Sequence, residues 1–217
     1  IEKVAKIKFK AELQASIDLA REHGPFFGWD AAREASIAQV SSSFYYMIKK
    51  EFPDQWKEMQ LFGRRNVSWS TVAPTGTVSL MTQTTSGIEP LFAPYYFRKK
   101  KVNPNDAGVR VDETDQNGDT WMIANVKPGT EHTEEDFAKL EEEDFARAFK
   151  VSPWYNATAP TIDWKKRVEI QAIVQRYTTH SISSTINLPE DVSVEAVDEI
   201  YMHSWKQGLK GITVYRD

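Results

Sequence analysis

Between Ala73 and Ser79 the chain reads Ala-Pro-Thr-Gly-Thr-Val-Ser, and from Ser86 to Pro90 it reads Ser-Gly-Ile-Glu-Pro. Thr75, Gly76, Thr77 and Ser79 gather backbone N–H groups and three hydroxyls, with no bulky or acidic side chain among them. Such a stretch suits phosphate. Unsatisfied N–H groups at a helix start carry roughly +0.5 charge and point outward, so an anion held there needs no lysine. The candidate binding residues are therefore Pro74, Thr75, Gly76, Thr77, Val78 and Ser79. Threonine, glycine and serine after a proline are also ordinary turn chemistry, and composition alone leaves both readings open. A nucleotide-triphosphatase loop lacks support, because no lysine follows the glycine at the required spacing. No Gly-x-Ser-x-Gly elbow is present, so a serine hydrolase has little support either.

The elements that must position this stretch come next. In residues 66–73, Val67, Trp69 and Thr71 alternate with Ser68, Ser70 and Val72, the pattern of a strand covered on both sides. Pro74 ends it and biases Ala73 toward extended geometry. Thr75 or Thr77 is expected to cap a helix from Val78 to about Ser86, with Gly87 terminating it in left-handed geometry. Near the other end, residues 180–188 have strand composition, with Ile182, Ser184 and Ile186 on one side. Pro189 ends that strand, and Asp191 or Ser193 caps a helix with an apolar stripe of Val194, Val197, Ile200, Tyr201, Trp205 and Leu209, closed by Gly208 or Gly211. Ile212 to Tyr215 forms a further strand. Two strands joined by a helix of this length imply a right-handed parallel unit, hence an α/β sheet or barrel. Ligands in such folds sit at strand carboxyl ends, and the phosphate stretch, lying just after a strand, obeys that rule.

The rest of the chain reads as scaffold. A helix with Val4, Ile7, Ala11, Leu13 and Ile17 inward runs to Gly24-Pro25, and a second is expected from about Ala31 to Lys50, closed by Pro53. Residues 89–97 are extended and aromatic, and Arg98 to Lys101 reads as a solvated charge run, with attraction of an anionic ligand as the lesser reading. Turn residues including Asn117-Gly118 around Val109–Val111 and Trp121–Val126 predict a hairpin-bearing insertion. A capping box at Thr133 opens an acidic helix to about Lys150 with Phe137, Leu140 and Phe145 inward, and another helix runs from Asp163 to about Tyr177. The 217 residues, 41% hydrophobic, allow a substantial core. No apolar run reaches the ~18 residues of a membrane span and no signal peptide opens the chain, so cytoplasmic residence without membrane association is expected. The net charge of −4 gives no reason to expect nucleic-acid binding. Zero cysteines exclude disulfides, thiolate metal sites and cysteine nucleophiles within this chain, and His23, His132, His180 and His203 show no ligand-like spacing, so no metal site is expected.

Four ordered motifs, Ala73 to Ser79, Ser86 to Pro90, Ser183-Ser-Thr-Ile-Asn-Leu-Pro189 and Gly208-Leu-Lys-Gly-Ile-Thr-Val-Tyr-Arg-Asp217, resemble the C-terminal half of the large catalytic subunit of ribonucleotide reductase. The likeness is closest to the adenosylcobalamin-dependent class II enzymes. It implies the second half of a ten-stranded α/β barrel, carrying a β-hairpin insertion, as a single piece of the catalytic domain. Its parts would be a helical lead-in (1–65), the phosphate-loop strand and helix (66–98), the insertion (99–132), and helices with the terminal β-α-β unit (133–217). By this resemblance Pro74 to Ser79 bind the phosphates of a ribonucleoside di- or triphosphate, and radical chemistry converts it to the deoxyribonucleotide. The family's reaction needs a cysteine thiyl radical on a finger loop, an Asn and a Glu beside it, and a reducing cysteine pair. None of those cysteines is here, so no catalytic residue is assigned to this chain and it is expected to be inactive alone. The missing parts are expected upstream of Ile1 and beyond Asp217, in the same or a companion polypeptide. A thioredoxin-type reductant would serve the full enzyme, and a homodimer is a further expected partner. Class I members carry adjacent tyrosines where this chain reads Val214-Tyr215, so the break at Val214 favours a radical made locally from adenosylcobalamin, a cofactor this chain would not bind by itself. The alternative is a non-catalytic nucleotide- or phosphate-binding α/β protein that has kept the barrel half without radical chemistry.

Overall fold

A computed structural model of the chain describes residues 1–82, 84–92, 96–127, 130–132, 150–151 and 155–216. The acidic helix expected from Thr133 lies outside them, apart from Lys150. The chain divides into two units, one of Ile1–Ala73, Asp163–Ile186 and Glu190–Arg216, the other of Pro74–Ile162 with Asn187–Pro189.

The first unit is mainly helical. α1 (Glu2–His23) buries Phe9, Leu13, Ser16, Ile17 and Ala20. That stripe is rotated from the expected one: Val4 and Ile7 are 70% and 61% exposed, because Phe9 sets the inward face. Its ring centroid lies 5.1–6.1 Å from those of Phe52, Phe44, Trp69 and Tyr177, with Phe52 nearest at 5.1 Å. Met47, Ile48 and Met59 complete the same core.

The helix expected over 31–50 is two helices, α2 (Ala31–Ile37) and α3 (Phe44–Glu51). Ser43 breaks it: its hydroxyl donates to the Ile37 carbonyl (2.9 Å) and accepts the Tyr46 N–H (3.1 Å), closing one helix and capping the next. Pro53 does more than end α3. It opens α4 (Pro53–Phe62) from the first-turn position, where its missing N–H has no intrahelical partner to lose. Glu34 and Arg64, 5% and 4% exposed, pair at 2.8 Å beneath these helices, and Arg64 also donates to the carbonyls of Asn66 (2.8 Å) and Val67 (2.6 Å).

α6 (Trp164–Arg176) starts at Asp163, whose carboxylate accepts the Lys165 N–H, and α7 (Val194–Lys206) starts at Ser193, whose hydroxyl accepts the Ala196 N–H. Ile200 and Ser204 face inward on α7, while Val194 and Trp205 are 81% and 71% exposed, so only part of the expected apolar stripe is buried. In the strand region Ile182, Ser184 and Ile186 turn inward as read from sequence, and Leu188 continues the alternation, although the regular strand β5 is confined to Thr185–Leu188. β5 pairs with β6 (Thr213–Arg216) across α7.

In the second unit, β1 (Tyr96–Val102) runs antiparallel to β3 (Thr120–Lys127), with Val102 opposite Thr120. The charge run Arg98–Lys101 thus lies within a strand. β2 (Glu113–Thr114) and β4 (Thr130–His132) also pair with β3, and Val109–Val111 lies between β1 and β2 outside any strand. Asn117-Gly118 makes the β2–β3 turn, with Gly118 at φ 82. The Asp115 carboxylate accepts from the amides of Asn117 and Asp119 and from the Trp121 indole. The strands form a four-stranded and a two-stranded sheet, and among the described residues no closed barrel forms.

Candidate functional site

The segment leading to the phosphate stretch is extended but is not a regular strand. A single parallel bridge joins Val72 to Ile182. Upstream of it, the donors that would begin a ladder are taken by a side chain: the N–H groups of Trp69 and Ser70 both donate to the Thr179 hydroxyl oxygen, at 3.0 and 2.9 Å. Backbone bonds from His180 to the Ser70 carbonyl (2.9 Å) and from Ser183 to the Val72 carbonyl (2.8 Å) hold the two segments side by side. The Ser68 hydroxyl lies 2.7 Å from His180 Nε2. Sequence reasoning missed these partners because Thr179 and His180 are more than a hundred residues away along the chain.

Beyond Pro74 the chain tightens. The Gly76 N–H reaches the Pro74 carbonyl at 2.6 Å, and Ser79 N–H reaches the Thr75 carbonyl at 2.8 Å, starting α5 (Gly76–Thr82). This helix begins earlier and ends sooner than the sequence suggested. The Thr84 N–H returns to the Ser79 carbonyl at 3.1 Å, which ends the helix, and Gly87, at φ 54, supplies left-handed geometry four residues farther on than a C-cap would. The Thr75 hydroxyl accepts the Gly87 N–H at 2.9 Å, and Ser79 Oγ lies 3.0 Å from Ser86 Oγ while donating to the Gly76 carbonyl at 2.6 Å. The two sequence motifs are therefore stitched together.

The six candidate residues divide into two groups. Ser79 is 7% exposed and Thr75 half-buried, and both hydroxyls are engaged within the chain. Pro74, Gly76, Thr77 and Val78 are exposed. Among the described residues, the amides of Thr77 and Val78 have no hydrogen-bond partner, as first-turn donors of a helix require unless a cap or ligand supplies one. A Cβ added at Gly76 would meet nothing within 4 Å, and its φ is not in the left-handed range. Neither conformation nor internal packing demands glycine there; close approach from outside would. From Pro74 to Ile88 no side chain is ionisable, so any attraction for an anion comes from backbone and hydroxyl dipoles.

Two of the cavities lined by described residues lie in the first unit. The larger, of about 790 Å³, is lined by Lys50, Arg176 and Lys210 but also by Glu2 and Glu169. Its cations are largely committed: Arg176 pairs with Glu51, and Lys210 donates to the Thr179 carbonyl. The smaller, of about 470 Å³, surrounds Asn66, Ser68 and His180. Residues 74–79 line neither, and their open amides remain the better anion candidate.

Residues 2–215 match the family model described as ribonucleotide reductase, barrel domain. A vitamin B12-dependent ribonucleoside-diphosphate reductase of Mycobacterium tuberculosis is 35% identical over 170 residues, covering 70% of this chain and 21% of that relative. A vitamin B12-dependent ribonucleoside-diphosphate reductase of Thermoplasma acidophilum is 28% identical, covering 94% of this chain and 23% of its own length. A vitamin B12-dependent ribonucleotide reductase of Streptantibioticus cattleyicolor is 28% identical, covering 93% and 37%. The chain thus spans well under half the length of these relatives.

Proposed function

The chain belongs to the ribonucleotide reductase barrel-domain family, and from that premise we propose that it is the substrate-phosphate part of a class II enzyme that reduces ribonucleotides to deoxyribonucleotides. The observation that carries the phosphate role is the pair of open amides at Thr77 and Val78 beside a glycine that the chain itself does not require. In this reading the diphosphate of a ribonucleotide accepts from those amides and from the Thr77 hydroxyl, with Gly76 allowing close approach and Pro74 fixing the entry of the loop. Holding the charged end leaves the ribose to be oriented for reaction, and orientation of this kind supplies several kcal/mol of a barrier, up to roughly 7–11. The B12 dependence named in the relatives supports adenosylcobalamin as the radical source of the complete enzyme; none of the residues described above is assigned to holding it. Since the sequence has no cysteine, the thiyl and reducing thiols would come from other polypeptide sequence. β5, α7 and β6 are read as one part of the wall of the family's ten-stranded barrel.

Gly76→Val tests the loop. Its added side chain meets open space and valine is a better helix former than glycine, so the fold should persist. Amide hydrogen exchange of residues 75–79 should slow in the wild-type chain on addition of CDP and not in the variant. Equal CDP protection and affinity in both would overturn the phosphate assignment.

A further inference from the structure

We propose that the larger cavity of the first unit, of about 790 Å³, binds a small carboxylic acid that also carries an N–H or O–H donor on an apolar body. Its volume falls within the roughly 300–1,000 Å³ of small-molecule sites. None of residues 74–79 lines it, so it is independent of the phosphate reading given above. The cavity's claim rests on a buried acceptor rather than on its cations. Gln175, 5% exposed, is one of the lining residues, and its Nε2 donates to the carbonyls of Thr178 (3.1 Å) and His180 (2.8 Å). Those two bonds fix which end of the amide is nitrogen, because the flipped amide would set its oxygen against two carbonyl oxygens. Gln175 Oε1 is thereby the other end, and it is buried with no hydrogen-bond partner among the described residues. A buried acceptor left unmet is costly, and a donor carried by a ligand removes the cost.

Charge sets the opposite requirement. Of the ionised groups on the lining, Arg176 is paired with Glu51 and Glu169 with Lys166, while Lys210 and Glu2 are of opposite sign and offset each other. Lys50 is left over. It has no carboxylate partner among the described residues, and its Nζ stands 6.0 Å from the centre of the Tyr46 ring. The exposed hydroxyls of Ser41 and Ser42 add donors to the same lining. One surplus positive charge suits the single charge of a carboxylate better than a phosphate monoester, which carries about −1.5 to −2 at neutral pH. Phe44, Met47, Ala172 and Ile173, from α3 and α6, supply an apolar wall for the body of the molecule.

The test uses N-acetyl-L-leucine, whose carboxylate, amide N–H and isobutyl group match these three features, with binding to the 217-residue chain read by calorimetry and ligand-observed NMR. A molecule of this size should bind in the millimolar range or tighter. Its ester-linked analogue, in which an oxygen replaces the N–H, should bind about tenfold more weakly, as should the uncharged methyl ester of the acid. Lys50→Met, at an exposed position, should weaken the acid about tenfold and leave the methyl ester unchanged. Ile173→Trp should fill the cavity and abolish binding, and Gly76→Val should leave it unchanged. No binding of N-acetyl-L-leucine at about 10 mM would overturn the proposal. So would equal binding of the ester-linked analogue, indifference of the acid to Lys50→Met, or tighter binding of inorganic phosphate than of the acid. Binding lost in Gly76→Val but kept in Ile173→Trp would move the ligand to the loop and leave the cavity without one.

Discussion

At the scale of single residues, charge in this protein is handled by burial and pairing rather than by the candidate site, which has none. Tyr177, 2% exposed, donates to Glu51 at 2.9 Å, and Glu51 also meets Lys6 at 2.8 Å and Arg176. Burial, then the Glu51 carboxylate, pushes the Tyr177 hydroxyl from 10.0 up to about 12. For Glu51 burial acts upward, but the contacts from Lys6, Tyr177 and Arg176 outweigh it and hold the carboxyl below 4.5. The signs differ. A raised tyrosine stabilises the fold below pH 10 and loses that contribution as pH climbs through about 12, whereas the lowered Glu51 stabilises it above pH 4.5 and is lost as pH falls through its folded value. Tyr177→Phe should therefore cost about 1–3 kcal/mol near neutral pH and flatten the fall in stability between pH 10 and 12, as read by urea midpoints across pH. An undiminished alkaline fall would show that other groups carry it.

At the scale of elements, small polar residues decide where structure starts and stops. Ser43 separates α2 from α3 with one hydroxyl that serves both helices. Ser43→Ala should lower stability by about 1 kcal/mol, toward 2 if the Ile37 carbonyl is left unmet, whereas Ser41→Ala, at an exposed position, should change the thermal midpoint little. A loss confined to Ser41 would reverse the assignment. Much at this scale is legible from the sequence. Asp163 and Ser193 cap the helices read from them, and Ile182, Ser184 and Ile186 turn inward. Where the reading erred, a local pattern met a partner it could not contain. The Phe9 ring rotated α1 away from Val4 and Ile7, and the Thr179 hydroxyl replaced a strand ladder at Trp69 and Ser70. The hairpin read at Asn117-Gly118 is present as β2–β3, and β3 also takes the charged strand Tyr96–Val102 as a partner that no local pattern names.

At the scale of the whole molecule, family membership is firm, and the proposed function implies that the activity needs more than this chain supplies. The chain covers 21% of its Mycobacterium tuberculosis relative and contains no cysteine, so thiol radical chemistry needs residues it does not have. With adenosylcobalamin, a dithiol and CDP, the 217-residue chain should form no deoxycytidine diphosphate. Adding a polypeptide that carries the thiyl cysteine and the reducing pair should restore product if the two pieces assemble, measured by chromatography of the nucleotides. Product from the chain alone would refute the reading of it as the phosphate-holding part.

The sequence by itself determined the family, the order of the four motifs and the absence of ionisable groups from the loop. These follow from residue identity, and identity survives without coordinates. Only the tertiary structure decided which of the candidate groups are spent and which are open. Thr75, Thr77 and Ser79 are alike as hydroxyls in the sequence, yet the structure commits Thr75 to Gly87 and Ser79 to Ser86, leaving the Thr77 and Val78 amides without partners among the described residues. The physical reason is that a hydrogen bond depends on distance and direction. The bonds that distinguish these residues join positions seven and twelve apart, across a turn whose path no spacing rule specifies.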